Sequence, residues 1–187
     1  MVNRILKIVF VLFCIIFIAY LSLPNFNFLT PPPDSLQSQE PADLETPLRR
    51  GYFTNYTRAQ VLAWYRDQFD HIKVFGINVK LPTPLLNYPP EDAQTLIRDQ
   101  TSSTFLQEFV HPFRESIYVN GFEPPSNNNK PIFYVGGKYW QQKIIIRFVP
   151  SSVWIRLGLF VVTAGFMIII YEAWSKSLIG KKHEKSN

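Results

Sequence analysis

Two long apolar runs, one near each end of the chain, enclose a middle in which hydrophobic and polar positions alternate with short, changing periods. Ile8 to Leu23 is apolar apart from Ser22. With Ile5, Leu6 and a Lys7 that can snorkel back to the interface, it predicts a helix of ~28 Å, enough to cross a bilayer. A second span is predicted over 153–174, with Leu157 to Tyr171 apolar apart from Thr163. Trp154 marks one headgroup layer, Tyr171 and Trp174 mark the other, and Arg156 can reach outward from one turn in. Lys7, Trp154, Arg156, Tyr171 and Trp174 are therefore the expected membrane-interface anchors. Gly158, Thr163, Ala164 and Gly165 offer small side chains for packing against another helix, without a G-x-x-x-G. Neither span has a carboxylate or histidine at its centre to suggest an ion or proton pathway.

Charge sharpens this picture. The net charge is +5, yet residues 24–150 carry 12 basic and 12 acidic side chains. The excess comes from the ends, where Arg4, Lys7, Arg156, Lys176, Lys181, Lys182 and Lys185 stand against Glu172 and Glu184. That pattern is a topology signal and not a nucleic-acid stripe. It predicts a cell-membrane protein with both termini cytoplasmic and the middle extracytoplasmic. Ala19-Tyr20-Leu21 is a poor small-x-small site, which favours an uncleaved signal anchor over a cleavable signal peptide.

Residues 1–23 are thus read as cytoplasmic flank and first span, and 175–187 as a basic cytoplasmic tail. Residues 24–50 carry Pro24, Pro31, Pro32, Pro33, Pro41 and Pro47 among Ser, Gln, Asp and Glu. They predict an extended tether, ~29 Å across as a coil and ~80 Å at full stretch, that imposes little orientation. On the other side only Pro150, Ser151 and Ser152 precede the second span, a reach of at most ~10 Å. The sheet end near Val149 is therefore expected to stay close over the headgroups.

The remaining 51–150 suffice for one modest domain. Thr57-Arg58-Ala59-Gln60 reads as a capping box, and Val61, Trp64, Tyr65 and Phe69 follow at helical spacing, predicting a helix over 58–69. Phe75, Ile77, Val79 and Leu81 alternate, predicting a strand over 72–81. Pro90, Glu91 and Asp92 suit a helix start, and Ala93, Ile97, Phe105 and Phe109 keep one helical face, predicting one bent or two short helices ended by Pro112. Strands are predicted over 116–122, 132–135 and 139–149, the last two joined as a hairpin by Gly136-Gly137, with Asn127 to Asn129 in a polar loop. The class is α+β: a small, mostly antiparallel sheet with two or three helices, flanked by two transmembrane helices.

Chemistry is sparse. Cys14, the single cysteine, lies in the first span, so the domain has neither disulfide nor thiol chemistry. No phosphate loop, nucleophile elbow or metalloprotease helix is present. Asp67, Asp70 and His71 offer three potential ligands without an evident fourth, so no metal or other cofactor is expected. His111 could be drawn with Ser116 and a carboxylate, but closeness in sequence is not triad geometry. The segment Glu108 to Glu123 crowds charges and aromatics around a turn, and Tyr139 and Trp140 abut the hairpin turn. Glu108, His111, Arg114, Glu115, Tyr139 and Trp140 are the candidate interaction surface, with ion pairing and core packing as the plainer alternatives. Asn55-Tyr56-Thr57 is formally a glycosylation sequon, although Thr57 already has a capping role.

These residues predict a non-catalytic accessory or interaction subunit of a cell-envelope assembly. Its expected partners are the lipid bilayer, another membrane protein and an envelope glycan, with no nucleic acid. A membrane-anchored enzyme acting on envelope glycans or peptides is one alternative. A sensor signalling through a partner is the other, since 13 residues after Trp174 cannot form an output domain. The residues match no recognisable family; the layout of two spans around an outside domain is similar to that of polysaccharide chain-length regulators, a likeness of topology.

Overall fold

Among the described residues, three α-helices form where local sequence favours them: α1 (Val2–Leu21), α2 (Arg58–Phe69) and α3 (Val153–Glu184). The computed structural model describes residues 2–74, 76–89, 104–122 and 133–184. Helices α1 and α3 are long and apolar enough to cross a membrane, by length and composition. Their side chains are largely uncovered, with Ile16 70% and Val161 64% exposed. The chain divides into two units, Met1–Pro24 with Ser151–Asn187, and Asn25–Pro150. In the first unit the rings of Phe17 and Phe160 meet at 5.3 Å. Two of the small residues face open space: nothing lies within 4 Å of where a Cβ would stand on Gly158 or Gly165. Helix α3 also runs past the expected boundary at Trp174 as far as Glu184.

In the second unit α2 starts on the expected capping box. The Thr57 side chain accepts from the Gln60 N–H, and the Gln60 side chain accepts from the Thr57 N–H at 2.8 Å. Val61, Tyr65 and Phe69, at i, i+4 and i+8, are fully buried. Burying an aliphatic or aromatic side chain of this kind contributes roughly 1.5–3 kcal/mol.

The strands are β1 (Leu36–Gln37), β2 (Arg49–Thr54), β3 (His71–Val74), β4 (Ile77–Lys80), β5 (Leu85–Tyr88), β6 (Phe105–Val110), β7 (Ser116–Gly121), β8 (Phe133–Val135), β9 (Lys138–Trp140) and β10 (Gln142–Val149). Six of them make one antiparallel sheet in the order β1-β2-β10-β7-β6-β5, while β3-β4 and β8-β9 are separate hairpins. Register fixes the core. Phe148, Ile117, Phe109 and Leu85 form one row across four strands, and Tyr52, Ile144, Gly121 and Phe105 form another. These rows share one sheet face, against which α2 buries its stripe.

Three sequence expectations change. Phe105 to Val110 is not helical but a central strand; Phe105 and Phe109 also fit a period of two, and pairing with β5 and β7 decides between the readings. The start of the expected helix, with Pro90, Glu91, Asp92, Ala93 and Ile97, lies outside the described residues. The strand expected over 72–81 is a hairpin instead, because Gly76 takes φ +82 and turns the chain back. Phe75 also lies outside the described residues, as do Asn127 to Asn129.

The third change concerns 24–50. Leu29 sits in the core, with Phe26 and Phe28 packed against it. Strand β1 pairs with β2, and a short 3-10 turn at Pro41–Asp43 buries Asp43 against Gly51. Lys143 on β10 bridges Asp43 and Glu40, at 2.7 Å from each carboxylate. A proline-rich stretch that cannot fold alone is thus ordered by the sheet edge beside it. The hairpin across Gly136-Gly137 forms as expected, both glycines having positive φ. It ends at Trp140, and β10 departs into the main sheet.

Candidate interaction surface

Strands β6 and β7 are joined by the turn His111-Pro112-Phe113-Arg114-Glu115, closed by backbone bonds from His111 N–H to the Glu115 carbonyl (3.0 Å) and from Arg114 N–H to the His111 carbonyl (2.9 Å). Inside it, Glu115 Oε1 faces His111 Nδ1 at 3.1 Å and accepts from Arg114 at 2.8 Å. A carboxylate only accepts, so Nδ1 carries the proton. Burial alone would push the Glu115 carboxyl up. The His111 hydrogen bond, the Arg114 charge and their companions outweigh it and hold the group below the usual carboxylate range. The His111 ring is sealed between Phe69, stacked at 4.0 Å, and Phe26 at 5.3 Å. Its Nε2 is buried with no hydrogen-bond partner among the described residues.

The expected surface is therefore divided. Glu108, His111, Arg114, Glu115 and Trp140 are buried, and among the six candidates only Tyr139 is well exposed, at 60%. Trp140 donates its indole N–H to the Val135 carbonyl and carries Lys138 over its ring at 4.6 Å. Tyr139 pairs across its hairpin with the exposed Tyr134, ring centroids 4.6 Å apart. Asn55 of the sequon accepts from the Gln141 N–H at 3.0 Å.

Sequence reasoning missed the polar row on the sheet face opposite α2. Arg147, Tyr118, Glu108 and Leu86 lie side by side there. The Tyr88 hydroxyl donates to Glu108 at 2.6 Å. That bond, with burial, raises the Tyr88 hydroxyl far above its ordinary range. Burial and then the Glu108 charge raise Tyr118. Both phenols thus stay protonated and point their chemistry at one carboxylate. Tyr118 and Arg147 do sit at alternate positions of visible strands, but nothing local aligns them with Glu108.

Of the expected interface anchors, Lys7, Trp154, Tyr171 and Trp174 are exposed. Arg156 is not: it is 4% exposed and donates to the carbonyls of Ser151 at 3.0 Å and Leu23 at 3.4 Å. Expected to reach outward into headgroups, it instead caps backbone within its own unit. His71 Nδ1 lies 3.1 Å from the Asp67 carbonyl, as at a helix C-terminus. Among the described residues, no group of three or more His, Cys, Asp or Glu side chains is placed to hold a metal ion.

No family model, curated protein or solved structure matches this chain.

Proposed function

We propose that this chain is a two-span membrane protein with both termini cytoplasmic, presenting Asn25–Pro150 outside the cytoplasm as a non-catalytic interaction module of a cell-envelope assembly. One observation carries the reading. The residues best suited to acid–base chemistry are spent on one another: His111 is sealed under Phe69, and Glu115 is held by His111 and Arg114. A general base must come within hydrogen-bond reach of a substrate proton, and a ring enclosed this way serves the turn. The exposed Tyr134–Tyr139 pair offers the aromatic contact area that protein or glycan partners use. The basic residues beside both spans support the orientation.

The test has two parts. Reporters fused after Asn187 and inserted between Gly136 and Gly137 score inside and outside respectively. The doubly substituted Tyr134→Ala/Tyr139→Ala chain loses the assembly recovered in mild detergent, while Glu108→Gln retains it. An outside score for the C-terminus overturns the topology. Biological activity that survives the tyrosine changes and disappears with Glu108→Gln favours the enzyme.

A further inference from the structure

The β3–β4 hairpin has two unlike faces. Directly paired residues share a face, so Ile72 with Val79 and Val74 with Ile77 line one, while His71 with Lys80 and Lys73 with Asn78 line the other. Every side chain of the polar face is exposed. On the apolar face Ile72 is buried, but Ile77 is 68% and Val79 39% exposed. A third uncovered apolar group, Phe113, is 74% exposed in the β6–β7 turn. Its φ of +63 is a left-handed conformation that bulky residues rarely adopt, held here by the turn bonds on either side.

These groups are rooted at one end of the domain. Phe69, the last residue of α2, stacks on His111, two positions before Phe113. Strand β3 starts two residues after Phe69, and the Leu81 N–H bonds to the Asp70 carbonyl, closing the hairpin root. Both chain connections leave from this end. Val110 and Ser116, flanking the turn, share a row with Val149 at the end of β10. Phe26 packs on Phe69 and His111, 5.3 Å from each. From Leu21 to Phe26, and from Val149 to Val153, the extended chain reaches at most ~18 Å and ~14 Å.

We propose that this end of the domain binds the surface of the bilayer that holds α1 and α3. Ile77, Val79 and Phe113 sit at the boundary between headgroups and acyl chains, and Lys73 and Lys80 lie against lipid phosphates. The proposal rests on the membrane-spanning reading of the two helices. An amphipathic element binds a bilayer surface through buried apolar area plus attraction to anionic lipid, and the hairpin supplies both. The short connections hold it within reach, so partition is effectively intramolecular.

The experiment uses the full chain, with Cys14→Ser, in nanodiscs of phosphatidylcholine with phosphatidylglycerol. Single cysteines replacing Ile77, Phe113, Lys138 or Val161 carry a nitroxide, and collision with oxygen is compared with collision with a water-soluble nickel chelate. Labels at 77 and 113 are expected to favour oxygen, as 161 does, while 138 favours nickel. Removing phosphatidylglycerol is expected to shift 77 toward nickel. If 161 favours oxygen but 77 and 113 match 138, the hairpin proposal falls and the spans stand. If 161 itself favours nickel, the spanning reading falls with it. Labels at 77 and 113 shielded from both reagents, with broadening that vanishes on dilution by unlabelled chain, overturn the proposal in favour of a second copy. Shielding without broadening overturns it too.

Discussion

The imidazole of His111 lies flat on the Phe69 ring, 4.0 Å between centroids and 6° between planes. The contact joins the end of α2 to the β6–β7 turn and places a hydrogen-bonding ring in an otherwise apolar core. His111→Ala removes the stacked surface and one donor to Glu115 together. The expected loss is about 2–4 kcal/mol, read by denaturant unfolding of the full chain in detergent. A loss within experimental error of zero would show that the stack is incidental.

Stability should also depend on acid through Glu115. Its carboxyl titrates lower in the folded state than in the unfolded chain. A depressed carboxylate contributes stability that is fully present above its unfolded pKa, about 4.3, and is lost as pH falls through the lower folded value. Unfolding profiles should therefore lose this contribution from about pH 5 downward. Glu115→Gln should be less stable at neutral pH and show a shallower acid decline. An unchanged slope would remove Glu115 from the acid response.

Gly121 has no room for a side chain. A Cβ there would stand 2.7 Å from Phe105 Cζ and 3.2 Å from Ile144 Cγ2. Gly121→Ala should cost about 1–3 kcal/mol by forcing Phe105 from the core row. Adding Phe105→Leu should recover part of it. Additive losses in that double variant would mean the clash is relieved elsewhere.

The Lys143–Asp43 pair is expected to pin residues 25–50 to the sheet. Lys143→Met leaves Asp43 buried without its cation and should destabilise by about 3 kcal/mol. Limited proteolysis should then cut within 35–48 well before the sheet is attacked. Asp43→Asn with Lys143→Met should be less sensitive than Lys143→Met alone. Equal protection of that segment in all three chains would show that β1 pairing suffices.

Thr57→Ala removes the side-chain half of the α2 capping box and should lower stability by about 1 kcal/mol, with Thr57→Ser close to the parent. Thermal unfolding of the full chain reads the difference, and an Ala variant as stable as the Ser variant would assign the cap's strength to Gln60.

Features whose causes lie within a few residues are legible along the chain. The apolar runs of α1 and α3 follow from composition over about twenty positions. Helix α2 begins after Thr57 because its capping box spans only four residues, and β8 and β9 meet because two glycines take positive φ between them. The rest depends on contacts between distant segments. Phe105, Gln107 and Phe109 suit a strand while Phe105 and Phe109 equally suit a helix, and only bonds to β5 and β7 choose. Asp43 and Lys143 are a hundred positions apart, so no window could show that their pairing orders a proline-rich stretch. Glu108, His111, Arg114 and Glu115 look like a charged surface in one dimension. His111 is covered because Phe69 and Phe26 arrive from other parts of the chain, while Glu108 on the other sheet face takes its bond from Tyr88 on the neighbouring strand. Period and capping act locally and leave their mark on the sequence, whereas burial depends on which distant segment closes over a residue.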